Sequence, residues 1–162
     1  MNDTVILTIP QADHPLAGRT MTGAAMVVQA IADEGVSAIF GYSGGAVLPT
    51  YDAVFLYNEE QARQGRRPLP LIVPANEQAA GFMAAGYSRS TGQVGVALVT
   101  SGPSATNMVT PVRDCMADSI PIVVISGGLW NRDSHELQSL GIAELLLKPQ
   151  ALRELAPTLR RL

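Results

Sequence analysis

Short, mostly apolar runs alternate with helix-patterned segments along most of this chain, and that alternation limits its fold more than any other feature. The runs cover 36–40, 70–73, 94–100 and 121–126. A strand that is apolar on both sides must be covered on both faces, and parallel strands need helical crossovers. The pattern predicts an α/β fold: a three-layer, doubly wound parallel sheet of about five strands with helices on both faces. An opening helix starts at Thr22 as N-cap, carries Ala25, Val28 and Ala32 with Met26 and Ile31 as its stripe, and stops at Gly35. Further helices are expected over 46–55, from Glu77 through Tyr87 toward Thr91, and from the turn at 101–104 through about Met116. The charged, glycine-interrupted stretch 58–67 reads as a solvated surface loop. A fifth strand is expected at 143–147, followed by a closing helix at 150–162 with Leu152, Leu155, Leu159 and Leu162 on one side. Residues 1–20, with Pro10, Pro15 and Gly18, read as an arm.

At 162 residues with 47% hydrophobic and 15% charged content, the chain fits one domain with a sizeable core. The formal net charge of −3 includes no basic stripe, so neither nucleic acid nor an anionic membrane is an expected partner. Cys115 is the only cysteine, which excludes an internal disulfide and favours a buried structural thiol. His14 and His135 have no ligand partners near them in sequence, so no metal site is expected. With no leader pattern and no long apolar span, a cytoplasmic location is expected.

In a parallel sheet every strand ends on the same rim, so the loops after Phe40, Val73 and Thr100 must lie side by side. They are Gly41-Tyr42-Ser43-Gly44-Gly45, Pro74-Ala75-Asn76-Glu77 and Ser101-Gly102-Pro103-Ser104. Glycines there allow close backbone approach to a ligand, and each loop opens a helix with free N–H donors. Glu77 is the only acid within about ten residues on either side. One reading makes it a helix-terminal acid that complements its own dipole; the other makes it a site carboxylate. The dipole favours its ionised form by ~0.3–1 kcal/mol, whereas full burial could raise its pKa by ~3–5 units. An ordinary exposed acid is therefore expected until something covers it. Gly81 and Gly86 inside the same helix cost about 0.5–1 kcal/mol each relative to Ala, which points to a closely packed neighbour, either a second subunit or the chain's own sheet.

The segments GYSGGAVLPTYD, NEQAAGFMAAGYSRSTG and VALVTSGPSATNMVTPVRDCMADSIPIVVISG, with the opening helix MTGAAMVVQAIADEGVSAIFGY, together resemble the pyrimidine-binding domain of thiamine-diphosphate enzymes, above all the acetolactate synthase large subunit. The resemblance divides the chain into an arm (1–20), a pyrimidine-binding-like region (21–127) and an atypical closing β-α unit (128–162). It implies that Glu77 is catalytic, sharing a proton with N1′ of the cofactor's aminopyrimidine and pushing the ring toward its imino tautomer. That nitrogen takes the proton from C2 of the thiazolium, which then attacks a 2-oxo acid such as pyruvate. Tyr42, Ser43, Gly44, Gly45, Glu77, Ser101, Gly102, Pro103 and Asn107 are the implied cofactor contacts. A homodimer or partner subunit is implied through the helix from Glu77 to Tyr87.

Where such enzymes carry proline, histidine and glycine, this chain has Ser43, Asn76 and Ser104. A side chain at Ser104 is expected to obstruct a left-handed backbone or to crowd the cofactor. The family's Gly-Asp-Gly motif, which serves diphosphate and Mg²⁺, is not in these 162 residues, nor is a seat for FAD, so a partial thiamine diphosphate site is expected. A half-site domain that is inactive alone is therefore expected, with a non-catalytic scaffold or assembly module as the alternative. The tail GIAELLLKPQALRELAPTLRRL resembles the end of a response-regulator receiver domain, with Ser126 and Lys148 at matching positions, but that family's acids have no counterpart. GYSGG also fits the G-x-S-x-G nucleophile elbow, with Ser43 as nucleophile, His135 as base and Asp118 or Asp133 as orienter. Neither the G-x-G-x-x-G dinucleotide fingerprint nor a P-loop occurs.

Overall fold

The computed structural model describes residues 14–127 apart from residue 17. The expected fifth strand and closing helix, with Asp133, His135 and Lys148, lie outside the described residues, as does most of the arm. Ten elements follow in order: α1 (Gly23–Asp33), β1 (Ile39–Gly41), a 3-10 turn (Gly45–Val47), α2 (Leu48–Arg63), β2 (Leu71–Ile72), α3 (Glu77–Thr91), β3 (Gly95–Val99), α4 (Pro103–Thr106), α5 (Val109–Ala117) and β4 (Ile122–Ser126).

The four described strands form one parallel sheet in the order β2-β1-β3-β4. Side-chain alternation along them divides the core in two. Ile39, Val96, Leu98 and Val123 meet Val28 and Ile31 of α1 and Val54 of α2 on one face. Phe40, Ala97 and Val99 meet Ala80 and Ala84 of α3 and Met108 beside α5 on the other. These are the two helical layers that strands apolar on both sides require. The connection from β1 to β2 runs outward on the α2 face, and the next crosses back over β1 on the α3 face. The strand order therefore reverses between β1 and β3, the place where sheets of this kind open a crevice at their carboxyl rim.

α3 sits close to the sheet because its inner side is made of Ala80, Gly81, Ala84, Ala85 and Ser88, all buried. A Cβ on Gly81 would lie 2.5 Å from the Pro111 ring, and one on Gly95 would lie 2.1 Å from the Ala84 carbonyl oxygen. Ser88 Oγ donates to the Pro121 carbonyl at 2.8 Å, and the Phe40 and Tyr87 rings meet tilted at 53° with centroids 5.8 Å apart. Arg89 pairs with both Asp114 and Asp118, fastening the end of α3 to α5. The close neighbour of Gly81 is thus the chain's own α5, not a second subunit, whereas Gly86 has open space around it.

Two expectations need correction. The stretch read as a loop from residue 58 is helical to Arg63, where Arg63 pairs with Glu59 and Glu60 one turn back, and the left-handed Gly65 ends it beyond the C-cap Gln64. Its extra turn carries Asn58, whose amide donates to the Leu69 carbonyl at 2.9 Å and whose oxygen accepts from the Leu69 N–H at 2.7 Å. The helix expected to run unbroken from the 101–104 turn is split into α4 and α5. Part of the arm is folded: His14 Nε2 lies 3.1 Å from Asp33 at the end of α1.

The glycine environments predict opposite signs for two similar substitutions. Gly95→Ala should cost about 1–3 kcal/mol, since the obstacle is backbone. Gly86→Ala should stabilise by about 0.5–1 kcal/mol through helix propensity alone. Urea denaturation with unchanged slope checks both.

Candidate functional site at the carboxyl rim

The first and third loops are joined at the switch point by Thr100. Its hydroxyl accepts from the Ala46 N–H at 3.2 Å, and a Cβ on Gly44 would lie 2.3 Å from its methyl carbon, so Gly44 is the residue this contact admits. Tyr42 N–H continues the β1–β3 ladder to the Leu98 carbonyl at 3.1 Å. Ser126 Oγ donates to the Thr100 carbonyl at 3.0 Å, tying the end of β4 to the same point. Ser43 and Gly45 are exposed on this loop. Beneath it Tyr51 of α2 is buried, its hydroxyl 2.9 Å from where a Gly41 Cβ would stand and without a hydrogen-bond partner.

The third loop turns on Gly102, whose φ of 67° suits glycine. Pro103 opens α4, and the Ala105 and Thr106 N–H groups close back on the Gly102 carbonyl. Ser104 is helical and buried; the left-handed residue is Gly102, so the expected obstruction of a left-handed backbone by Ser104 does not arise. Ser101 is half-buried and Asn107 exposed.

Glu77 opens α3, with Asn76 as N-cap accepting from the Ala79 N–H at 2.8 Å. The Asn107 amide donates to Glu77 Oε2 at 3.1 Å, so the second loop is bound to the end of the third. Burial pushes the Glu77 carboxyl up, but its own backbone N–H, the Asn107 amide and the Ser104 hydroxyl outweigh it and hold it below the usual glutamate range. Glu77 is therefore half-buried and held ionised by neutral donors, not the ordinary exposed acid expected from sequence. The Ser104 hydroxyl, although it favours that ionised form, has no hydrogen bond of ordinary geometry.

Other sequence candidates fall elsewhere. Asp118 follows α5 and precedes β4, at the amino rim, where it binds Arg89 at 2.6 Å. It cannot orient a base for Ser43, which follows β1 on the opposite rim. Cys115 is buried, and burial first of all pushes its thiol up, as suits an unreactive core residue. Among the described residues no cluster of histidine, cysteine and acidic side chains could hold a metal, and no helix is long and apolar enough to cross a membrane. Sequence reasoning missed Thr100 and Tyr51, which bind and underlie the first loop; no local pattern marks either.

Residues 21–145 match the family model described as thiamine pyrophosphate enzyme, N-terminal TPP binding domain. The chain belongs to that family. Its similarity within the family is to acetolactate synthases: the large subunit of Haemophilus influenzae is 44% identical over 135 residues, 80% of this chain and 22% of the relative. The large subunit of Buchnera aphidicola (subsp. Acyrthosiphon pisum) is 50% identical over 133 residues, 79% of this chain and 22% of the relative. The mitochondrial catalytic subunit of Saccharomyces cerevisiae is 43% identical over 118 residues, 73% and 16% respectively. The chain thus spans about a fifth of the length of these curated relatives.

The buried Tyr51 phenol is pushed up to about 12 from 10.0 by burial. A folded value above the unfolded one means the unfolded chain loses this proton first, so stability should fall as pH rises from 10 toward 12. Tyrosinate absorbance should show one late-titrating phenol that vanishes in Tyr51→Phe. That variant should be neutral or more stable by up to about 1 kcal/mol, since it removes an unpartnered buried hydroxyl.

Proposed function

We propose that this chain supplies the half of a thiamine diphosphate site that takes the aminopyrimidine ring, with Glu77 as the residue that meets N1′. The bond from Asn107 to Glu77 carries the reading, because it fixes an isolated carboxylate on the rim where the strand order reverses. The residues fit the group. A carboxylate held in place by amide donors can share a proton with a ring nitrogen, and Gly102, with open space where a Cβ would stand, adds no side chain to the turn that would line a flat ring. Tyr42, Ser43, Gly45, Ser101 and Pro103 complete the two turns that would line the ring. When bound, thiamine diphosphate supplies the nucleophilic carbon and electron sink for chemistry on 2-oxo acids. Glu77 contributes a proton position, and the α4 turn keeps its carboxylate oriented.

The activity named for the relatives belongs to proteins more than three times as long, so acetolactate formation from 2-oxo acids is proposed for an assembly containing this domain. Diphosphate, Mg²⁺ and FAD contacts would come from parts outside this domain, which alone should turn over no 2-oxo acid. A second copy is proposed as partner for the outer side of α3. Phe82 and Met83 are exposed there, Val109 is exposed on neighbouring α5, and Gly86 leaves the helix surface low enough for a second helix to approach.

Calorimetry with thiamine diphosphate and Mg²⁺ at millimolar concentration should give measurable heat, weakened about tenfold or more in Glu77→Gln. Silence in the unaltered chain would favour a non-catalytic scaffold instead. For the partner, sedimentation should show concentration-dependent dimers that Phe82→Glu disperses; a monomer at all concentrations would remove the α3 interface.

A further inference from the structure

The outer side of α2 is apolar where a solvent-facing helix should be polar. Thr50, Tyr51, Ala53 and Val54 form its buried side. On the opposite side stand Leu48, Phe55 and Leu56. Phe55 and Leu56, at 61% and 66%, are the most exposed large apolar side chains among the described residues. Single exposed apolar residues are ordinary, but three on one face within about two turns make a patch. The patch is also acidic. Asp52 and Glu59 are exposed on the same face, and Asp52 has no ion pair among the described residues. A second copy laid symmetrically on this face would set these carboxylates against their own images.

Gly127, the last described residue, brings the chain to the start of this helix. Its N–H donates to the Val99 carbonyl at 3.2 Å, and a Cβ on it would lie 2.3 Å from the methyl carbon of Ala46, two residues ahead of Leu48. Residues 128–162 follow from there. Their last part, 150–162, carries Leu152, Leu155, Leu159 and Leu162 on one side by pattern, with Arg153, Arg160 and Arg161 against a single acid, Glu154. The stretch between Gly127 and Gln150 can span about 70 Å when extended, whereas all of α2 is about 24 Å long, so reach sets no limit. We propose that the Leu48, Phe55 and Leu56 face of α2 is the seat of this chain's own segment 150–162, its leucines on the apolar patch and its arginines toward Asp52 and Glu59. The seat is independent of the cofactor reading. It sets the tail beside the Gly41–Gly45 loop, since α2 follows directly from that loop's 3-10 turn.

Lys148 is the only lysine in the chain and stands two residues before the segment, so zero-length carbodiimide coupling reports the contact directly. In the full chain at low concentration, peptide mass spectrometry should find the Lys148 amine joined to Asp52, Glu59 or Glu60. The yield should fall about tenfold or more when Leu155→Asp and Leu159→Asp are combined. Mixing chains of light and heavy nitrogen shows whether both joined peptides come from one molecule. Thiol labelling supplies a second readout, with Cys115 buried and out of reach. The Leu56→Cys variant should react about tenfold more slowly than the same variant carrying both tail substitutions. Coupling of Lys148 only to acids elsewhere, or equal labelling rates, would overturn the proposal. Mixed-isotope products, or protection that grows with concentration, would also overturn it and give the face to a second copy.

Discussion

α3 rests on β1 and β3 through residues that carry almost no side chain, and the position of everything on the carboxyl rim follows from that contact. Ala80, Ala84 and Ala85 are fully enclosed, and Gly95 lets the Ala84 carbonyl approach the start of β3 more closely than any side chain would permit. A helix seated so low has little freedom to slide, because each bulge would meet backbone. Its far end is fastened by Arg89 to Asp114 and Asp118 and by Ser88 to Pro121. Its near end, capped by Asn76, carries Glu77 to the level of the α4 turn, where Asn107 reaches it.

The charge state of Glu77 is settled by a contest that its sequence neighbourhood does not display. Burial opposes ionisation, but the opposing donors come from its own backbone and from residues about thirty positions downstream. Half-burial leaves the desolvation penalty small enough for neutral hydrogen bonds to prevail. Covering the rim would strengthen both sides of that contest, since the same loss of water raises the penalty and sharpens each hydrogen bond.

The sheet and its order of elements were legible because strands covered on both sides must be apolar throughout, and four such runs stand out between helical patterns. Boundaries moved where backbone bonding, not hydrophobicity, decides: Val36 is drawn back to close α1 on the Ile31 carbonyl, so β1 begins only at Ile39. Of the rim, the three loops and Glu77 could be read in advance, since parallel topology places them together whatever their detail. The Thr100 contact with Gly44 and Ala46 could not, as it joins residues more than fifty apart through atoms that have no periodic signature. Gly81 and Gly86 look alike in sequence, yet one faces Pro111 and the other faces open space. Composition shows that a helix surface is smooth; only the packing shows what lies against it.

Asn58 gives the polar end of α2 a structural duty. Leu69 is buried just ahead of the two-residue strand β2, outermost among the described strands, and its N–H and carbonyl are both answered by that one amide side chain, which stands in for a neighbouring strand that no described segment supplies. Were α2 to stop at Phe55, two enclosed backbone groups would be stranded, at about 1–3 kcal/mol apiece. The polar stretch of this helix is thus the hem of the sheet: it finishes the chain's approach to β2 at a point that would otherwise unravel.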